Sequence, residues 1–312
     1  MRLVIIGNSK IANDCLQMII QDNEHEVVGV LYEPQKNPSP AVLIDSIVQF
    51  QIPFQEVQGS VNDAFHLEFL LESKADWIFN INCYQYLKSS LLSIPKLGVI
   101  NFHNGPLPKY GGVNISSWPI INGEKVHGVT WHMVNTGIDT GDILSQSNFE
   151  IPTNATAALL MIKCIQEGID LFKENWKAWV TGEILPQQQV GTRTYYSKKD
   201  LAPKNGLLDW MMGAEELNRL ILGLHLFPYP NDFAYAHFIL LGETYWVIAA
   251  EIGDSEMDIT PGSIIERNSK YCHVKCGTGS LKLKMIAVEF GKPIKWNSFY
   301  ELLDAASVNT LG

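Results

Sequence analysis

Residues 1–32 read MRLVIIGNSKIANDCLQMIIQDNEHEVVGVLY, and this stretch decides the predicted fold. The apolar run 1–7 predicts a strand that ends in a glycine. Residues 11–21 carry apolar side chains at helical spacing, and the run 26–32 predicts a second strand. A strand, a helix and a strand in this order indicate a parallel sheet with Rossmann-like winding.

The pattern continues along the chain. An amphipathic stretch at 41–50 and a helix at 64–73 lead to a buried strand at 76–81. Residues 8–10 are Asn-Ser-Lys, so the first strand is not followed by the G-x-G-x-x-G fingerprint of dinucleotide-binding folds. A nicotinamide dinucleotide is therefore not expected.

A polar pair, Asn101 and His103, follows the apolar run 97–100. A strand places residues i and i+2 on one face, so both side chains can converge on one reacting atom. The asparagine offers an uncharged amide donor and the histidine a group that titrates near neutral pH. Asp139 stands in a glycine-flanked turn that can bring a carboxylate back to the imidazole. This set predicts an oxyanion donor, a general acid/base and its partner, for direct attack of an amine or water on an activated carbonyl.

The segment 101–144 resembles the folate-dependent formyltransferase family, whose motifs occur here in the family's order and spacing. The matching residues are Asn101-Phe102-His103, Leu107-Pro108, Gly112, Gly123-Glu124, Gly128-Val129-Thr130 and Asp139-Thr140-Gly141-Asp142-Ile143-Leu144. The resemblance implies transfer of a formyl group from 10-formyltetrahydrofolate to a primary amine. It also implies that Asn101, His103 and Asp139 are the catalytic residues.

The same resemblance implies two groups of binding residues. The folate-binding residues are expected to be Cys83, Tyr84, Tyr86, Leu87, Ile138 and Asp142. The residues on the side of the amine substrate are expected to be Ser9, Lys10, Pro106, Lys109, Gly111 and Asn114. Two positions depart from the family's habit, since Tyr84 stands where a glycine is usual and Gly111 where an arginine is usual.

The sequence changes character after residue 186. A helical pattern at 153–181, with Thr153 as its predicted cap, closes a catalytic domain at 1–186. A polar segment at 187–205, which includes Tyr195 and Tyr196, predicts a linker. Residues 206–312 predict a small β-barrel, and the resemblance implies an OB-like domain there. Its five short strands are expected at 233–241, 244–251, 262–266, 271–276 and 280–287.

Composition narrows the setting. A chain of 312 residues is long enough for two domains, and 46% hydrophobic with 18% charged residues is typical of a soluble globular protein. The formal net charge of -10 argues against a general nucleic-acid surface. Family members that act on tRNA carry a lysine-rich insertion where this chain has only Lys36, so we expect no nucleic-acid partner.

Cysteine usage and the N-terminus indicate a reduced, cytoplasmic setting without a membrane segment. The five cysteines are an odd, scattered set, and no signal-type block or run of about 18 apolar residues occurs. Cys272, His273 and Cys276 lie too close together in a strand-like run for a metal site, so we expect no metal.

Three acceptor interpretations remain open. The stretch 103–114, HNGPLPKYGGVN, looks most like the formylation domains of nonribosomal peptide synthetases, which act on an aminoacyl group held on a peptidyl carrier domain. A nucleotide-linked amino sugar is the second candidate, for which Lys109 is the nearby cation. The third is a folate-binding or docking module without catalysis, which the departures at Tyr84 and Gly111 would permit.

Overall fold

The computed structural model describes residues 1–34, 42–83, 85–229, 231–255, 257–289 and 292–311. The chain forms two compact units. The first consists of Met1–Ile115, Val126–Glu150 and Met161–Tyr196, and the second of Ser116–Lys125, Ile151–Leu160 and Ser197–Gly312. The domain boundaries predicted from the sequence, at 186 and 206, stay a prediction.

The first unit is built on a seven-stranded sheet in the order β3-β2-β1-β4-β5-β7-β8. The first five strands of this order run parallel, and β7 and β8 are antiparallel to their neighbours. The strands of this unit are β1 (Arg2–Gly7), β2 (Glu26–Tyr32), β3 (Phe54–Glu56), β4 (Trp77–Ile81), β5 (Gly98–His103), β6 (Gly111–Gly112), β7 (Val126–Met133), β8 (Ile143–Glu150) and β9 (Tyr195–Tyr196). The predicted Rossmann-like sheet is confirmed.

The central strands are buried because their sequences are almost entirely apolar, with Asn80 of β4 as the exception. β4 is buried at all of its positions, and β1 is buried from Leu3 onward. Strands of a parallel sheet need cover on both faces, which explains why these runs do not alternate with polar residues.

The described residues contain eight α-helices, and the helix predicted at 64–73 has these bounds in the structure. They are α1 (Ser9–Ile20), α2 (Val42–Gln49), α3 (Ala64–Ser73), α4 (Ser89–Leu92), α5 (Trp118–Ile121), α6 (Ala157–Thr181), α7 (Ala214–Leu224) and α8 (Trp296–Ala305). The predicted cap at Thr153 is wrong, since the hydroxyl of Thr156 accepts the hydrogen bond from the Leu159 amide at 3.2 Å. No helix among the described residues has the length and apolar character needed to cross a membrane.

The second unit contains an antiparallel half-barrel sheet in the order β10-β11-β14-β13-β12, with β15 beside β14. Its strands are β10 (His237–Leu240), β11 (Glu243–Gly253), β12 (Ile264–Arg267), β13 (Cys272–Lys275), β14 (Ser280–Glu289) and β15 (Lys292–Pro293). Trp210, Phe238 and Phe299 are in its core together with the apolar face of α7. The small β domain expected after the α/β domain is confirmed.

Two features of the first unit position the site. β5 extends to His103, so the polar pair lies inside the strand and not beyond its end. β6 and β9 pair in parallel, Gly111 with Tyr195 and Gly112 with Tyr196. Part of the segment predicted as a linker therefore lies in the first unit, against the loop that follows β5.

Candidate active site

Asn101 and His103 are on one face of β5, between β4 and β7. Asn80 of β4 is the register partner of Asn101, and β7 places His132 opposite Asn101 and Thr130 opposite His103. Residues on three neighbouring strands thus converge near the carboxyl end of β5, where open α/β sheets bind their ligands.

The Asn101 amide is held from both sides. Its Oδ1 accepts a hydrogen bond from Asn80 Nδ2 at 2.6 Å, and its Nδ2 lies 3.0 Å from His132 Nε2. His132 Nδ1 lies 2.8 Å from the carbonyl oxygen of Met133, which can only accept, so the ring proton is on Nδ1. Nε2 is then a lone-pair acceptor for Asn101, and the second Nδ2 proton of Asn101 remains for a substrate oxygen.

Burial keeps His132 neutral. Loss of hydration lowers the pKa of this buried ring to about 4, against the opposing effect of the nearby Asp139 charge. A neutral ring matches the acceptor role of Nε2. The sequence pattern favoured a structural or acceptor-facing histidine at this position, and the contact with Asn101 makes it part of the site.

His103 is fixed by the loop that follows β5. Its Nε2 donates to the carbonyl oxygen of Tyr110 at 2.7 Å. This contact requires glycine at position 105, because a Cβ atom there would lie 2.8 Å from His103 Nε2 and 2.7 Å from the Tyr110 oxygen. The other ring nitrogen, Nδ1, lies 3.7 Å from Oδ2 of Asp139. The protonated ring has a donor for each of these two acceptors.

Asp139 stands between the two histidines. Its Oδ2 accepts a hydrogen bond from the Gly112 amide at 2.8 Å, and its Oδ1 lies 3.8 Å from His132 Nε2. The backbone of Asp139 is left-handed, with φ of 52°, a conformation that aspartate tolerates better than most residues. Gln189 Nε2 donates to the carbonyl oxygens of Asp139 and Gly141, at 2.9 and 2.8 Å, and so fixes the turn.

The Gly-Val-Thr motif supports the loop between His103 and Tyr110. The hydroxyl of Thr130 donates to the Gly105 carbonyl at 2.6 Å and accepts from the Leu107 amide at 3.1 Å. Gln146 Nε2 adds a bond of 2.8 Å to the Leu107 carbonyl. These bonds satisfy the buried backbone of a loop that contains two prolines and a glycine, and they give the motif a structural role.

The residues that the resemblance assigns to folate lie in two loops that touch. Tyr86 Oη donates to the carbonyl of Thr136 at 2.7 Å, which joins the loop after β4 to the loop before Asp139. Tyr86 and Ile138 are 48% and 46% exposed, whereas Cys83 and Leu87 are buried. A flat ring could pack on this apolar surface, so the residues present fit a pterin. Asp142 contributes its carbonyl to the Met133 amide, and Tyr84 lies outside the described residues.

The residues assigned to the amine side are more scattered. Ser9 is half-buried and its hydroxyl accepts from Asn82 Nδ2 at 3.0 Å, whereas Lys10 is exposed and pairs with Asp14 on its own helix. The remaining four are in the loop after β5, where Gly111 is buried, Lys109 is exposed, and Pro106 and Asn114 are half-buried. All six assignments stay predictions.

Sequence reasoning missed the segment that completes this loop. Thr194 receives hydrogen bonds from the Tyr110 amide, at its hydroxyl, and from the Gly111 amide, at its carbonyl, at 2.8 and 3.0 Å. Arg193 donates to the Ile138 carbonyl at 3.0 Å, and its guanidinium lies 4.8 Å from the centre of the Tyr195 ring. The aromatic pair Tyr195-Tyr196 was the available signal, since aromatic residues are unusual in a solvated linker.

Within the described ranges, one group of three side chains comes close enough to share a metal ion, namely Asp22, Glu24 and His25. Asp22 is already paired with His25 Nδ1 at 2.7 Å and with Lys177 Nζ at 3.2 Å. The carboxylate is thus neutralised by its own neighbours. We assign no metal to it.

Comparisons with known proteins agree with this geometry. Residues 1–174 match the family model for formyl transferase, and residues 200–303 match that for the formyl transferase C-terminal domain. The methionyl-tRNA formyltransferase of Clostridium beijerinckii is 31% identical over 301 residues, covering 94% of each chain. That of Agathobacter rectalis is 31% identical over 312 residues, covering 96% of each chain.

Two solved structures share the fold. An N-formyltransferase from Helicobacter canadensis, in complex with folinic acid and dTDP-3-aminofucose, superposes with a TM-score of 0.68 at 20% identity, covering 90% of this chain and 98% of its own. A sugar 3-N-formyltransferase, determined in the presence of dTDP and 5-N-formyl-tetrahydrofolate, also gives 0.68, at 23% identity over 94% of this chain and 98% of its own. At these identities the likeness establishes the fold alone.

Proposed function

Because the chain belongs to the formyl transferase family and is an enzyme that takes its formyl group from 10-formyltetrahydrofolate, we propose that it formylates the amine of an aminoacyl group held on a peptidyl carrier domain of a nonribosomal peptide synthetase. The observation that carries N-formyl transfer is the convergence of Asn101, His103 and Asp139, with Oδ2 of Asp139 at 3.7 Å from His103 Nδ1.

The three side chains divide the work of acyl transfer. The donor supplies an electrophilic formyl carbon and a nitrogen leaving group. The Nδ2 proton of Asn101 that does not face His132 donates to the oxygen that gains negative charge as the amine adds. Both N–H groups of a protonated His103 would face acceptors in the protein, so this ring would stabilise the oxygen by its charge. Asp139, whose Oδ2 lies 3.7 Å from His103 Nδ1, accepts the proton that the amine sheds, and this proton returns to the leaving nitrogen.

Position 111 supports a carrier-bound acceptor. A Cβ atom at Gly111 would lie 3.7 Å from Cβ of Asp139, with no contact shorter than 3.5 Å. A side chain at this position would start beside Asp139, and glycine leaves no side chain there. An aminoacyl thioester on a pantetheine arm is slender and brings no anionic group to the reacting amine, so it needs no cation at position 111.

A specific observation favours the second candidate, a nucleotide-linked amino sugar. Such a substrate needs a cation for its diphosphate and an aromatic face for its base. Arg193 and Tyr195 supply one of each, next to the carbonyl of Ile138 and hence next to Asp139. The presence of Arg193 and Tyr195 therefore supports a nucleotide-linked amino sugar as the second candidate acceptor.

A formyl-transfer assay by mass spectrometry separates the candidates. The enzyme would be given 10-formyltetrahydrofolate with an aminoacyl-loaded carrier domain, a panel of nucleotide-linked amino sugars, or methionyl-tRNA, in parallel. We expect the mass of one formyl group on the carrier-bound amino acid and none on the other acceptors. Formylation confined to a sugar or to methionyl-tRNA would overturn the carrier proposal.

The His103→Ala variant is the control for each reaction. A reaction without enzyme measures transfer from the donor alone, and product formed by His103→Ala at the unaltered enzyme's rate would remove His103 from the proposed catalytic set. Folate binding without transfer to any acceptor would instead favour a non-catalytic module.

A further inference from the structure

We propose that Asn80 of β4 is a positioning residue that sets which way the Asn101 amide points. This inference rests on the proposed catalytic role of Asn101. Asn80 is buried, and it faces Asn101 as its direct register partner across the parallel pair β4–β5. Asn80 Nδ2 donates to Asn101 Oδ1 at 2.6 Å, the shortest of the contacts that hold Asn101.

The hydrogen bonds around Asn101 form a chain with one consistent direction. The Met133 carbonyl can only accept, so His132 donates from Nδ1 and accepts at Nε2. Asn101 therefore donates from Nδ2 to His132 and must receive a donor at Oδ1. Asn80 is that donor. If the Asn101 amide were flipped, its oxygen would face the lone pair on His132 Nε2. Its Nδ2 group would then face the Nδ2 group of Asn80, so that two donors would meet.

The surroundings of Asn80 show that its amide is not there for packing. On the same face of β4, two residues before Asn80, Ile78 is a buried apolar side chain. Its own Oδ1 is buried and has no hydrogen-bond partner among the described residues. A valine would fill this position without leaving a buried oxygen unpaired. The Asn80 side-chain amide instead donates a hydrogen bond to Asn101 Oδ1 and so fixes the orientation of the Asn101 amide. In this orientation the second Nδ2 proton of Asn101 is left for the substrate oxygen.

The kinetic test compares Asn80→Val with Asn80→Asp. Valine removes the donor, and a carboxylate of similar size replaces it with an acceptor that repels Asn101 Oδ1. We expect kcat to fall about tenfold with valine, the effect of one net hydrogen bond, and further with aspartate. KM for donor and acceptor should stay unchanged in the valine variant, and its melting temperature should be unchanged or higher.

A double-mutant cycle with Asn101→Ala shows whether Asn80 acts through Asn101. Once Asn101 is alanine, adding Asn80→Val should cost no further activity. An equal loss of kcat in both backgrounds, or an unchanged kcat in the single variant, would overturn the proposal.

A second readout does not depend on turnover. The NMR signals of the Asn101 side-chain amide and of His132 Nε2 should shift in Asn80→Val. They should not shift in Asn13→Ala, which removes another buried asparagine of the same unit, bonded to Ser46 Oγ at 2.6 Å. Unmoved Asn101 and His132 signals in Asn80→Val would refute the positioning role, even if no acceptor had been identified. Shifted signals with no transfer would place the failure in the proposed function instead.

Discussion

The Asp139 carboxylate is anchored by the backbone amide of Gly112, at 2.8 Å from Oδ2, which is the same oxygen that lies 3.7 Å from His103 Nδ1. The loop after β5 therefore fixes the partner of His103, the proposed catalytic histidine, before any substrate arrives. Preorganisation of this kind avoids rearranging charged groups during the reaction. It also means that changes in the loop act on catalysis through Asp139.

Replacing Asp139 with asparagine removes the negative charge of this side chain while keeping its shape. The amide oxygen can still accept from Gly112, but the side chain can neither maintain a positive charge on His103 nor accept a proton. We expect kcat to fall by about 100- to 10,000-fold, the usual contribution of general acid–base catalysis. Steady-state kinetics measure the loss, and an unchanged circular dichroism spectrum would show that the fold is kept. A variant with nearly normal kcat would remove Asp139 from the catalytic set.

Asn101→Ala should remove an oxyanion donor while leaving the general acid/base in place. The expected loss in kcat is about 100- to 1,000-fold, with little change in KM for the donor. Combining it with His103→Ala should cost less than the product of the two separate losses, because both residues act on the same oxygen. Fully multiplicative losses would contradict the shared role.

His132 should remain neutral across the pH range in which the enzyme is assayed. Its pKa lies near 4 in the folded protein, below the ordinary value of 6.5. As the pH falls from 6.5 towards 4, the unfolded chain takes up a proton that the folded chain refuses, so the contribution of His132 to stability declines over this window. Nitrogen-15 NMR of labelled histidine should show the Nδ1-protonated neutral ring from pH 5.5 to pH 8. A ring that titrates near its ordinary value would contradict the assignment.

Gly111 and Gly112 form a matched pair for testing the loop. A Cβ atom at Gly111 makes only ordinary contacts, whereas one at Gly112 would lie 1.9 Å from the Tyr196 carbonyl oxygen on a backbone with φ of 100°. Gly111→Ala should therefore keep the fold and most activity, and Gly112→Ala should lower both the melting temperature and kcat. Similar melting temperatures for the two variants would mean that the β6–β9 pairing is not needed for stability.

Gly111→Arg tests specificity at the same position. An arginine at this position would place a bulky side chain and a positive charge beside Asp139. We expect kcat/KM for a carrier-bound acceptor to fall at least tenfold with KM for the donor unchanged, measured with the two substrates varied separately. An unchanged kcat/KM for the acceptor would show that the amine substrate does not pass Gly111.

The sheet and the catalytic motif could be predicted because their signals are local. Apolar runs and helical periodicity gave β1, β2, β4 and α3 nearly to the residue. The Asn-x-His spacing places two side chains on one face of a strand. This prediction requires no information about the rest of the chain.

Other parts of the site depend on pairings between distant residues. The contact of Asn80 with Asn101 follows from the register of two parallel strands, and the contact of Thr194 with Tyr110 from pairing across 84 residues. Neither has a signature in the local pattern. The polar composition of 187–205 is typical of a solvent-exposed linker, although this segment contains the strand β9.

The pairing of β9 with β6 also defines the shortest fragment worth expressing. Tyr195 and Tyr196 fall between the two segments that the family models match, 1–174 and 200–303, so a truncation guided by those limits would omit them. The amides of Gly111 and Val113 would then lose their acceptors, the carbonyls of Thr194 and Tyr196. An excised catalytic piece should therefore extend at least to Tyr196. One that ends near 174 would also cut α6 and lose the buried Trp176 and Trp179.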